Sequence, residues 1–207
     1  MASPKQCHTL APMKTLIIHP KDPTTSFLSQ IYAPLKNKTV VRGGIIKSEL
    51  RELIESHDRV LCLGHGSPYG LLNPDQFPDA GFYIVDESMV SALKNKSDSI
   101  FIWCYADQFV QRHGLEGLCS AMFISETREQ EYYGFDNIDG DLIDQSNERF
   151  VSIVSKYINE PLRVLYQKLF FEYGLLARTN PIAKFNLKRL YLSSSKIYRS
   201  HNKVVFK

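Results

Sequence analysis

Three things are scarce in this 207-residue sequence: long apolar runs, cysteines in pairs, and acidic residues near the C-terminus. Each absence excludes something. No apolar stretch approaches the ~20 residues needed to span a bilayer, so no membrane partner is expected. The N-terminus has no basic segment followed by an apolar one, and does not read as a secretory signal. The four cysteines (Cys7, Cys62, Cys104 and Cys119) have neither the spacing of a zinc site nor the density of a disulfide scaffold. Cys62 and Cys104 sit in apolar runs, as reduced buried thiols do, and a reducing cytoplasm is the expected compartment.

The charge is unevenly placed. Residues 1–172 carry 17 basic and 22 acidic side chains, whereas residues 173–207 carry eight basic ones and no acidic one. Phe185, Tyr191, Tyr198 and Phe206 interleave with that basic tail. Eight charges are modest for counterion-driven binding. A solvated helix face and a docked terminal strand account for them, so no nucleic-acid partner is expected.

What is present is the balance of an ordinary globular domain, 43% hydrophobic and 23% charged. Residues 1–12 have no period and read as an extension or alternative start. From Met13 to residue 141, short apolar runs alternate with segments of helical spacing. Strands are expected at 14–19, 39–42, 59–64, 99–104 and 118–125, with a short extended segment at 82–85. Helices are expected at 24–35, 48–57, 87–94 and 106–113, and a loop at 69–80. This order predicts a three-layer, flavodoxin-like α/β fold with a mostly parallel sheet and helices on both faces. Residues 142–207 read as a helical region packed on the same domain. Its stretches are 143–158, a helix opened by Pro161, and 182–192, followed by a short β-like end.

In open parallel sheets, ligands bind beyond the carboxyl ends of the strands. Two of the expected core strands end there in chemically capable residues, the third in His65 and the fourth in Cys104. A thiol becomes a nucleophile as the thiolate, and a nearby imidazole can take its proton. The attacked carbonyl then needs N–H donors for its oxyanion. The backbone amides of Gly66 and Cys104 are the candidates. His19 follows the first strand at the same edge, where it either lines the site or stands solvated. Ser67, Asp75, Glu126 and Arg128 are further candidate pocket residues, and Glu129 lies on the same edge.

An apolar strand ending in His-Gly (RVLCLGHGSP, 59–68), followed some forty residues later by one ending in Cys (SIFIWCYAD, 99–107), resembles the caspase-like (clan CD) cysteine peptidases. The resemblance covers roughly residues 13–126. It is nearer to clostripain, gingipain and CHAT-type domains than to true caspases, whose pentapeptide around the nucleophile is missing. It implies a caspase-like sheet, a dyad of His65 and Cys104, and the Gly66 amide as an oxyanion donor. It implies a peptide or protein substrate and no metal or organic cofactor. Open sheet edges in such folds are compatible with a homo-oligomer. Two other functions fit the residues: a catalytically silent binding or signalling module on the same frame, and a small-molecule or metal-handling enzyme using His65.

Overall fold

The computed structural model describes residues 13–135 and 138–194 in full, and the backbone of 197–200 and 203–206. Residues 1–12, with Cys7, lie outside the described residues, as do the tail side chains Tyr198 and Phe206.

Five short strands form the parallel part of the main sheet. They are β1 (Thr15–Ile18), β2 (Lys38–Val41), β3 (Arg59–Leu63), β7 (Ile100–Ile102) and β8 (Gly117–Ser120). Three antiparallel strands extend it: β9 (Leu190–Ser194), β10 (Ile197–Ser200) and β11 (Lys203–Phe206). The order is β11-β10-β9-β8-β7-β3-β1-β2. A second, three-stranded antiparallel sheet lies between β3 and β7 in sequence: β4 (Gly66–Ser67), β5 (Gly70–Leu72) and β6 (Tyr83–Val85).

Every residue of β3 is buried, as expected for a central strand covered on both faces. Successive side chains point to opposite faces, and this alternation separates two cores. Ile17, Leu61, Leu63, Ile100 and Ile102 face one side. There they meet α1 (Ser29–Tyr32), α6 (Gly140–Tyr157), α7 (Leu162–Leu176) and α8 (Pro181–Leu187). Leu16, Ile18, Val60, Cys62, Phe101 and Trp103 face the other side. There they meet α2 (Lys47–Ser56), α3 (Val90–Leu93) and α4 (Ala106–His113). The three-layer α/β arrangement is thus present. Among the described residues, no helix is long and apolar enough to cross a membrane.

Several segments differ from expectation: β5 lies inside the loop expected at 69–80, the helix expected at 87–94 opens as a 3-10 turn (Glu87–Met89) before α3, and three more depart as follows. The helix expected over 24–35 is a 3-10 turn (Ser26–Leu28) followed by the single turn of α1. Pro23 and Pro34 leave little room for more, since each restricts the residue before it. The fifth strand ends at Ser120, not 125. Ala121 N–H still donates to Arg189 O, and beyond it the backbone bonds to side chains in place of a strand: Ile124 N–H donates to Asn186 Oδ1 at 2.8 Å, and Asn186 Nδ2 donates to Ile124 O at 2.8 Å. The stretch 182–192 is helical only to Leu187, and the chain then re-enters the sheet as β9 beside β8. The C-terminal region is therefore not helical throughout. A parallel edge at β8 would leave a row of unpaired backbone groups, and the antiparallel return covers it.

Candidate functional site

The strand order places the site. The chain runs from β1 outward to β2, then returns to β3 on the other side of β1. The loops that leave β1 and β3 diverge at that switch point and open a crevice at the carboxyl edge. His65 follows β3, and Cys104 follows β7 on the neighbouring strand. Both line one cleft with Thr25, Phe27, Phe123 and Ser125.

The turn after Cys104 is unusual. Tyr105 lies in the left-handed region (φ 66°, ψ 27°) at the start of α4. Non-glycine residues rarely adopt this conformation, and it costs energy that the surroundings must offset. Its hydroxyl is 2.9 Å from that of Tyr133. Cys104 is half-buried, whereas Cys62 and Cys119 are buried.

His65 is held by the loop after β1. Its Nε2 is 2.7 Å from Thr24 Oγ1, and the same hydroxyl is 2.7 Å from Asp22 Oδ1. An ionised carboxylate only accepts, so the hydroxyl donates to Asp22 and accepts from His65. The network therefore assigns a proton to Nε2 and leaves Nδ1 as the accepting nitrogen of the neutral ring. Burial raises the Asp22 carboxyl, but the Thr24 hydroxyl and amide, with His65, outweigh it and hold the group below its usual range. Gln76 brackets this loop, accepting from Lys21 N at 2.8 Å and donating to Lys21 O at 2.6 Å.

Two further carboxylates face the same place. Glu126 Oε1 is 3.5 Å from His65 Nε2, and Glu129 Oε1 is 4.0 Å from Cys104 Sγ. Glu129 uses its other oxygen to accept from the amides of Ser125 and Glu126 at 2.7 and 3.1 Å, which fixes it at the start of α5 (Thr127–Gln130). Asn147 and Asn186 on α6 and α8 hold the 124–125 backbone from behind. The C-terminal helices thereby support the acidic side of the cleft.

These carboxylates act on the thiol. Burial, then the Glu129 charge, pushes Cys104 up to about 12; an N–H from Phe123 offsets part of this, and Glu126 adds to it. Glu129 is itself raised by burial. The thiol at rest is therefore protonated.

Gly66 and Trp103 lock the two strand ends together. Trp103 is 1% exposed, and its Nε1 donates to Ser67 O at 3.0 Å. A Cβ on Gly66 would stand 2.0 Å from Trp103 Cδ1. A tryptophan immediately before the cysteine is thus matched to a glycine immediately after the histidine.

The other expected residues are placed as follows. Ser67 belongs to β4, with its hydroxyl 2.8 Å from Tyr83 Oη. Asp75 is exposed in the loop 73–81, and Arg128 is exposed on α5. His19 is fully buried, so the solvated strand-end position does not hold. Its ring bridges Tyr32 Oη (3.0 Å) and Thr25 O (3.1 Å), bracing the loop that carries Thr24. Asp22 and Thr24 escaped the sequence reading. The strand-end rule applied to the loop after β1 would have flagged them.

His19 carries a pH dependence. Burial first, and Arg42 second, lower its pKa from 6.5 to about 4. Between these values the unfolded chain binds more protons than the folded one. The stabilisation is complete above pH 6.5 and is lost as pH falls toward 4. By linkage, about 2 kcal/mol should disappear between pH 7 and pH 5. Urea unfolding at the two pH values should show this loss in the wild type and a smaller one in His19→Gln.

Comparison with known proteins returned no match among family models, curated proteins or solved structures.

Proposed function

We propose that the chain is a caspase-like cysteine endopeptidase with His65 and Cys104 as its dyad. The observation that carries this is the pairing of an imidazole and a thiol at the ends of adjacent parallel strands, opening onto one cleft at the switch point. The left-handed Tyr105 beside the cysteine and the Asp22–Thr24 support behind the histidine favour it further.

In this mechanism the imidazole of His65 takes the proton of Cys104. The thiolate attacks a peptide carbonyl, and the amides of Gly66 and Cys104 receive the oxyanion. His65 then protonates the leaving amine, and water hydrolyses the thioester. The resting thiol resists deprotonation because Glu129 and Glu126 stand beside it. A cationic side chain of the substrate would neutralise them and ease thiolate formation. The preferred residue before the scissile bond is therefore Lys or Arg.

The test is a fluorogenic peptide panel with a matched peptidyl electrophile. Basic peptides should be cleaved, and Cys104→Ala and His65→Ala should each lower the rate by at least about a hundredfold. The basic electrophile should modify Cys104 and leave Cys62 and Cys119 untouched. If the folded protein cleaves nothing and Cys104 stays unmodified, the chain is a silent binding module on the same frame.

A further inference from the structure

We infer that the cleft holds a divalent transition-metal site, taking Zn²⁺ through His65, Glu126 and Glu129, with the sulfur of Cys104 as fourth ligand. Binding stands apart from the peptidase proposal; its consequence, a silenced thiol, rests on it.

The geometry comes first. His65, Glu126 and Glu129 each offer one ligand atom, and these atoms lie within 4.8 Å of one another. In a tetrahedral zinc site with bonds of ~2.0–2.1 Å, neighbouring nitrogen and oxygen ligands stand ~3.3 Å apart. His65 Nε2 and Glu126 Oε1 are already 3.5 Å apart. Cys104 Sγ is 4.0 Å from Glu129 Oε1 but stands outside that group of three, so the thiol must turn toward the ion to join it as fourth ligand.

The ligand chemistry comes second. A nitrogen, two carboxylate oxygens and a sulfur suit Zn²⁺ better than Mg²⁺ or Ca²⁺, which prefer oxygen throughout. The supports behind the ligands are also in place. Glu129 is fixed through its other oxygen, which accepts from the amides of Ser125 and Glu126. Such contacts orient ligands and raise metal affinity.

A separate observation points to an occupant. Thr25 lines the same cleft and is 3% exposed, yet its Oγ1 has no hydrogen-bond partner. A buried hydroxyl left unpaired is costly, and a ligand or metal-bound water in the cleft would satisfy it.

On binding, Nε2 of His65 and the thiol of Cys104 each release a proton to solvent as they coordinate. Affinity therefore falls as pH falls. The Thr24 hydroxyl, 2.7 Å from Nε2, gives up that hydrogen bond and turns aside for the ion.

Zn²⁺ titration of the full chain by calorimetry at pH 7.5 tests the site. One ion should bind per chain. His65→Ala and the double variant Glu126→Gln, Glu129→Gln should each weaken binding at least about a hundredfold. Cys104→Ala should weaken it by about tenfold and keep the 1:1 ratio. Circular dichroism confirms that each variant is folded. Saturating Zn²⁺ should also slow alkylation of Cys104 at least about tenfold, reversed by chelator and not seen in the double variant. A folded wild type without saturable 1:1 binding, or with binding unchanged in the double variant, overturns the site. Peptide cleavage measured with chelator present separates the two proposals. Cleavage without zinc binding removes the metal site alone, and zinc binding without cleavage leaves the site and removes the peptidase.

Discussion

Gly66→Ala should destabilise the protein by more than about 3 kcal/mol, the scale reached when a packed core is forced to accept an extra methyl group and backbone must shift. The new Cβ would stand 2.0 Å from Trp103 Cδ1, 2.4 Å from Cγ and 2.7 Å from the carbonyl oxygen of Gly70. None of these can yield cheaply. The indole is wedged against Phe101 and Phe109, with ring centroids 5.8 and 5.7 Å away, and its N–H is committed to Ser67 O. Moving it would shift the strand end that carries Cys104. A double-mutant cycle isolates the cause. Trp103→Ala by itself should cost roughly 3–5 kcal/mol as a core truncation. In that background Gly66→Ala should cost much less, because only the Gly70 contact remains. Equal costs in both backgrounds, read by denaturant unfolding, would show that the indole is not what requires the glycine.

The second large effect concerns reactivity. Glu129→Gln should lower the pKa of the Cys104 thiol by on the order of one unit, raising its thiolate fraction about tenfold at a given pH. The Glu129 charge is the second cause, after burial, of the thiol standing near 12. Glutamine keeps the shape, and its carbonyl oxygen can still accept from the amides of Ser125 and Glu126. The change is thus one of charge more than of structure. The pH profile of alkylation should move to lower pH in the variant. Glu126→Gln should move it less, since Glu126 contributes less to the thiol. Arg128→Ala, on the exposed side of the same short helix, should leave the profile where it was. An unmoved profile in Glu129→Gln would mean that burial alone keeps the thiol protonated.

These effects show where the sequence was legible. Continuous apolar runs mark β1, β3 and β7, because a strand covered on both faces has no polar side to show. The residues just past such runs fall on one edge of the sheet, which singled out His65 and Cys104 from sequence position alone. Glycine after the histidine was legible as a residue, but its reason was not. It was read as a free amide, whereas the structure adds the indole of Trp103 lying against it. Local pattern also misled at Leu190–Ser194, where helical spacing continued into a segment that the open edge of β8 draws into the sheet.

The sequence by itself determined the alternation of strands and helices, the three-layer α/β class and the two strand ends that carry the candidate chemistry. These follow from periodicity and burial within a few residues. The tertiary structure alone decided what surrounds those ends. Asp22 and Thr24 reach His65 from 41 and more residues away because β1 lies beside β3. Glu129 reaches Cys104 because α6 and α8 hold the segment after β8 in place. Such contacts depend on strand order and on side chains meeting across separate elements. No local pattern encodes them, and they set the charge on the thiol and the partners of the imidazole.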